Sequence, residues 1–221
     1  MKNLKTVLAA SVAAASMTMA AAPASAELAA SVGVASTYLW RGYDLGSGTP
    51  AVSGDISYST GGAYIGAWAS SGDTAAGTEY DLYAGYGMEF DGFSFDISVW
   101  NYNYPTGPGY LGTEETDFFE HTDVILTFGL GPVSFSYYEP IAGPDGFTEY
   151  NYYTLSTGFG AFSATLGMED IDGDNSLHLD IAYAYNDNLS FIVSQQDGDV
   201  DELGLDTDPK FIVSYSLPIE M

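Results

Sequence analysis

The chain has 221 residues, no cysteine and a formal charge of −26 at pH 7, from 4 Lys plus Arg against 30 Asp plus Glu. So few basic side chains exclude a nucleic-acid surface, which needs cations to meet phosphate, and the lack of cysteine excludes disulfide scaffolds and thiolate chemistry. Aromatic residues at 15% and 26 glycines suit a sheet protein and fit an ordinary helical domain poorly.

The N-terminus reads Met1-Lys2-Asn3-Leu4-Lys5, then runs apolar over 7–22, then reads Ala24-Ser25-Ala26. A basic start, a short apolar middle and a small-x-small end predict a secretory signal peptide over 1–26 and one mature domain over 27–221. Its removal takes Lys2 and Lys5 away and leaves Arg41 and Lys210 facing all 30 acids. No later stretch approaches the roughly 20 apolar residues of a spanning helix, so a membrane-embedded mature chain must be a barrel.

Period-two alternation marks the strands. Over 31–42, Val32, Val34, Tyr38 and Trp40 share one face and Arg41 lies on the other. The second strand, 51–58, sets Val52, Ile56 and Tyr58 against Ser53, Asp55 and Ser57, and Gly61-Gly62 marks a turn. The third, 63–70, has no clear phase, because Tyr64 and Trp68 compete with Ile65 and Ala67. The clearest element is a hairpin over 79–102. Its first arm sets Tyr80, Leu82, Tyr86 and Met88 against Glu79, Asp81 and Tyr83; its second sets Phe93, Phe95, Ile97 and Val99 against Ser94, Asp96, Ser98 and Trp100.

A polar loop over 103–116 precedes the sixth strand, 117–130, where Val124, Leu126 and Phe128 oppose His121, Asp123 and Thr127. The seventh covers 133–139, and the eighth, 148–159, again lacks a clear phase. The ninth, near 162–168, leads into an acidic loop over 169–175. The tenth places His178 and Asp180 opposite Leu177, Leu179 and Ile181. The eleventh starts at Leu189, a second acidic loop covers 197–208, and the twelfth begins at Lys210. Long polar connections alternate with short ones. This pattern predicts an all-β chain forming a single 12-stranded antiparallel up-and-down transmembrane β-barrel in the outer membrane of a Gram-negative cell.

Four motifs carry a family resemblance: Ser36-Thr37-Tyr38-Leu39-Trp40-Arg41-Gly42, then Pro50-Ala51-Val52, then Tyr64-Ile65-Gly66-Ala67-Trp68-Ala69-Ser70, then the strand from Glu79 to Tyr86. In this order and spacing they resemble the TorF-type porin family of small proteobacterial outer-membrane barrels. The likeness is specific over 36–88 and architectural beyond. It implies a bacterial outer-membrane location and, as partners, outer-membrane lipid, lipopolysaccharide and the barrel assembly machinery. Many such barrels end in Phe; this chain ends Leu217-Pro218-Ile219-Glu220-Met221, a departure in the assembly signal.

The polar faces nominate pore-lining residues: Arg41, Asp55, Asp81, Asp96, Asp123, His178 and Asp180. Arg41 either shapes the field of a lumen or forms a structural ion pair between strands. Asp170, Asp172 and Asp174, and again Asp197, Asp199 and Asp201, have the spacing that opens a calcium loop. Asn175 and Ile181 stand where an EF-hand needs Gly and Glu, so the expectation is at most weak Ca or Mg binding in outer acidic loops, with no other cofactor. His121 and His178 have no Gly-x-Ser-x-Gly elbow to serve, which argues against an enzyme and leaves an outer-membrane lipase as a minor alternative. The predicted function is passive diffusion of small hydrophilic solutes with a preference for cations, an ion-transport role. The alternative is a non-conducting barrel for adhesion or envelope structure, its bore crowded by Tyr83, Trp100 and Tyr102.

Overall fold

A computed structural model describes residues 26–107, 121–143, 150–199 and 205–221. The predicted signal segment, Ala26 apart, lies outside the described residues. Fourteen strands follow in order: β1 (Glu27–Ala35), β2 (Leu39–Trp40), β3 (Tyr43–Asp44), β4 (Ala51–Thr60), β5 (Ala63–Asp73), β6 (Gly77–Phe90), β7 (Phe93–Asn103), β8 (His121–Leu130), β9 (Val133–Ala142), β10 (Tyr150–Phe159), β11 (Phe162–Ile171), β12 (Asp174–Ala184), β13 (Leu189–Gly198) and β14 (Lys210–Ile219). Twelve of them form one closed antiparallel barrel in chain order, and β1 pairs with both β4 and β14 to seal it. Closure leaves no row of unpaired backbone groups at an edge. β2 and β3 pair only with each other.

At one end the turns are tight. Gly61-Gly62 and Asp91-Gly92 have φ of 56° and 93°, and 38° and 88°, the left-handed pair that a two-residue type I′ hairpin requires. The opposite end carries the longer connections, with two exceptions. β5 runs on to Asp73 and β6 begins at Gly77, with a register shift between Ser70 and Asp73. The predicted acidic loop over 169–175 is a hairpin whose turn is Asp172-Gly173, with φ of 55° and 96°. An Asp-Gly pair is a strong hairpin signal, and it outweighs the acidity that suggests a loop. Alternation of loop length therefore fails there, while the strand count and closure hold.

The phase is as read where it was clear. Val52, Ile97, Leu166 and Val193 are exposed on the outside; Asp81, Asp96, Asp123 and His178 are buried inside. In the two ambiguous strands Tyr64, Trp68, Tyr150 and Tyr152 turn inward: Tyr64 and Trp68 pack on an interior cluster with buried Tyr150 and Tyr152, while Ile65, Leu155 and Phe159 face out. Tyr and Trp carry a polar atom that an acidic interior can satisfy, and aliphatic side chains do not. One boundary differs more seriously. The first strand ends at Ala35 and not near 42, so Arg41 does not lie in a barrel strand.

Candidate functional site

After Ala35 the chain leaves the wall and folds back into the bore. Leu39 pairs with Asp44 and Trp40 with Tyr43, and Arg41 and Gly42 form the turn with φ of 48° and 83°. The result is a miniature type I′ hairpin pointing inward. Tyr38, Leu39 and Trp40 pack with Ala35, Ala51, Ile192 and Ile212. Ile192 and Ile212 are apolar residues within the polar interior, and the hairpin covers them. Gly42 is required by proximity as well as by φ, since a Cβ there would stand 2.6 Å from the His178 Cβ and 2.7 Å from the Gln196 Cγ.

The hairpin delivers Arg41 to a dense polar site. Its Nη1 donates to Glu169 Oε1 at 3.0 Å and its Nη2 to Asp123 Oδ2 at 3.3 Å. The guanidinium carbon lies 4.3 Å from the ring centre of Trp40, 4.2 Å from Tyr152, 5.0 Å from Tyr150 and 5.3 Å from Tyr138. Ring faces attract a cation through their quadrupole, most strongly when water is excluded. Arg41 is 4% exposed. Burial works against its charge, but Tyr150, Glu169 and Asp123 outweigh burial and raise its pKa, so it is a cation here. Tyr150 donates to both oxygens of Asp123 at 3.0 Å, and Tyr102 donates to Oδ2 at 3.3 Å. Tyr43, on the hairpin, donates to Glu169 Oε2 at 3.2 Å, and burial followed by that carboxylate pushes its phenol up to about 12. On the other side Tyr38 donates to Glu79 at 2.7 Å, and Tyr104 donates to the same carboxylate at 3.0 Å.

All seven nominated pore residues face the interior, but they are not one site. Arg41 and Asp123 meet directly. His178 joins them through its neighbours: Nε2 is 2.7 Å from the Tyr152 hydroxyl and Nδ1 is 3.2 Å from Asp180 Oδ2. Asp55 and Asp96 stand apart, accepting from Tyr83 at 2.8 Å and from Tyr64 at 2.9 Å. Asp81 is buried, and its Oδ1 has no hydrogen-bond partner among the described residues. Tyr83 stacks on Trp100 at 4.3 Å, with Tyr102 beyond at 6.5 Å, so the expected crowding of the bore is present.

The acidic repeats serve turns. Asp170 accepts from the Gly173 N–H at 3.0 Å, Asp197 from Gly198 at 2.9 Å and Asp199 from Asn175 at 2.6 Å. Asp172 is the turn residue itself and Asp174 opens β12; Asp201 lies outside the described residues. Among the described residues no group of three His, Cys, Asp or Glu is placed to hold a metal ion.

Sequence reasoning missed Glu169, Tyr138, Tyr150 and Tyr152. Glu169 was legible, since it continues the inward series Ser163, Thr165, Gly167 by one step of two. Tyr150 and Tyr152 were not, because Tyr153 follows directly in the opposite phase and a tyrosine suits either face.

No curated protein matches the chain. Among solved structures the chain is similar to a KdgM porin, with a TM-score of 0.47 and 9% identity over 88% of this chain and 99% of that one. It is also similar to the outer membrane phospholipase A from Escherichia coli, with a TM-score of 0.46 and 9% identity over 87% and 90%. A third likeness is to the outer membrane protein OprD from Pseudomonas aeruginosa, with a TM-score of 0.37 and 12% identity over 77% and 60%. A family described as a bacterial protein of unknown function, Gcw_chp, matches residues 19–188. That match covers most of the 221 residues, and the protein therefore belongs to the Gcw_chp family.

Proposed function

We propose that this protein is a bacterial outer-membrane barrel through which small hydrophilic cations diffuse, with the inserted hairpin narrowing one end. The observation that carries this reading is the inversion of an ordinary soluble fold: apolar side chains cover the outside of the closed sheet and carboxylates are buried within. Such an exterior suits hydrocarbon. Phe90, Phe93, Phe159, Phe162 and Tyr185 are exposed beside the tight turns, where an aromatic girdle meets the membrane–water boundary. Half of the interior is roomier than the other. Towards the tight turns it is lined by small, half-buried residues such as Ser57, Ser94, Thr127, Ser134, Ser156 and Ser163, while the hairpin and the aromatic residues fill the opposite half. On this reading the belt contacts outer-membrane lipid and lipopolysaccharide, and the resemblance to TorF-type porins rests in part on the hairpin itself.

The test is a planar bilayer holding refolded protein in a KCl gradient. A reversal potential of the sign set by K⁺ is expected, because Arg41 and Lys210 face a larger number of carboxylates; a potential of the opposite sign refutes the proposal. The packing of the hairpin favours a second reading, a barrel closed at rest with an adhesive or envelope-stiffening role. Replacing residues 38–49 by a Gly/Ser linker separates the two. Conductance in both chains supports the pore, and conductance only in the altered chain supports the closed barrel. A lipase has less support, since His121 and His178 are both buried in the interior, away from an outward lipid substrate.

A further inference from the structure

The interior carries more negative charge than Arg41 neutralises. Asp73, Glu79, Asp81, Asp96, Asp123 and Glu169 are all buried, and Arg41 pairs with Asp123 and Glu169. Asp81 is on the same wall. Its strand neighbour Tyr102 donates to Asp123, yet its own Oδ1 is buried without a partner among the described residues. A buried carboxylate oxygen left without a donor is costly. The groups that hold Arg41 also come from two sources. Trp40 travels with it on the hairpin, but Tyr138, Tyr150, Tyr152, Asp123 and Glu169 belong to β8–β11 of the wall. If the hairpin withdraws, three ring faces and two carboxylates remain around a hole the size of a guanidinium, with the Asp81 oxygen on the same wall.

We propose that this wall cage is a binding site for guanidinium-bearing organic cations, and that Arg41 is a built-in ligand that occupies it. The inference rests on the reading of the barrel as a solute pathway. It assigns that pathway a class of solute. Rings and carboxylates together favour a flat, delocalised cation over a small, strongly hydrated one such as Na⁺. The unpartnered Asp81 oxygen favours a solute with a second cationic group, so agmatine, a guanidinium joined to an ammonium by a short chain, is the probe.

The experiment is calorimetric titration of agmatine into the mature protein refolded in detergent micelles, where no ion flow is needed. Arg41→Ala should bind agmatine at least tenfold more tightly than the wild type does. The triple variant Arg41→Ala/Asp123→Asn/Glu169→Gln should lose that gain. Equal binding by wild type and Arg41→Ala overturns the proposal, as does a gain that survives in the triple variant. Should Arg41→Ala fail to fold, Gly42→Ala serves instead. Its Cβ would press against His178 and Gln196 and drive the hairpin from the cage; a fold that forms without tighter binding then overturns the proposal. Failure here leaves the bilayer result untouched, so the two readings fall separately.

Discussion

Arg41 is a non-glycine residue held at a φ of 48° and buried among acids. It stays because the two carboxylates that pair with it otherwise accept from the neutral phenols of Tyr43, Tyr102 and Tyr150, and the loss of one partner exposes that dependence. Asp123 is 0% exposed, so Asp123→Ala leaves Arg41 with half its charge compensation. Breaking a buried pair in this way costs about 3–5 kcal/mol, to be read as a shift in the urea unfolding of refolded protein; a loss under 1 kcal/mol speaks against a structural pair. Tyr43 gives a second test, through pH. Its phenol is raised to about 12, above the value near 10 expected in an unfolded chain. The folded state thus prefers the neutral phenol. That contribution is present below pH 10 and is lost as pH rises towards 12. Tyr43→Phe cannot ionise, so its stability should fall less than that of the wild type between pH 10 and 12. Parallel profiles would show that Tyr43 does not titrate there.

At the scale of strands, the wall is built by setting inward rings against inward glycines. Gly66 pairs with Tyr83, Gly85 with Tyr64 and Gly167 with His178. A Cβ on Gly66 would stand 2.3 Å from the Tyr83 ring, and one on Gly167 would stand 1.9 Å from His178 Nε2. Each ring lies across the bare backbone of the neighbouring strand and so fits inside the barrel. Tyr83 cannot easily retreat, being stacked on Trp100 and bonded to Asp55. Gly66→Ala should therefore cost about 1–3 kcal/mol, the usual penalty of overpacking. Gly54→Ala is the control, because its Cβ meets only the Ser31 carbonyl at an ordinary 3.6 Å. Equal midpoints for the two variants in urea would remove the ring-over-glycine account. The same pairs explain why glycine is abundant in the chain yet uninformative from sequence. A glycine that admits a ring and a glycine that makes a turn look alike until the pairing is known.

For the molecule as a whole, the decisive property is which side meets hydrocarbon. Leu166 is 48% exposed midway along β11, and its neighbour Thr165 faces inward, where it bonds Ser156 at 2.9 Å. Leu166→Arg should cost on the order of 2–4 kcal/mol in vesicles, the range for a cation on a lipid face at mid-depth. Thr165→Arg places the same charge beside water and acids and should cost less. Folding yields and unfolding free energies in lipid vesicles compare the two, and a harmless Leu166→Arg contradicts the membrane reading.

Alternation was enough to specify twelve strands and, outside the third and the eighth, their faces, because a period of two is a local property of the backbone and needs no partner to be visible. Inward placement of Asp55, Asp81, Asp96, Asp123 and Asp180 followed from the same periodicity. The fate of residues 36–50 did not. Val32, Val34, Tyr38 and Trp40 keep one phase, so the pattern runs straight through the point where the strand stops. Only closure of the barrel creates the cavity that Tyr38, Leu39 and Trp40 fill, and only that cavity brings Asp123 and Glu169, far apart in the chain, to the two sides of one guanidinium. A contact between distant segments depends on the shape of the assembled wall, which no short stretch encodes.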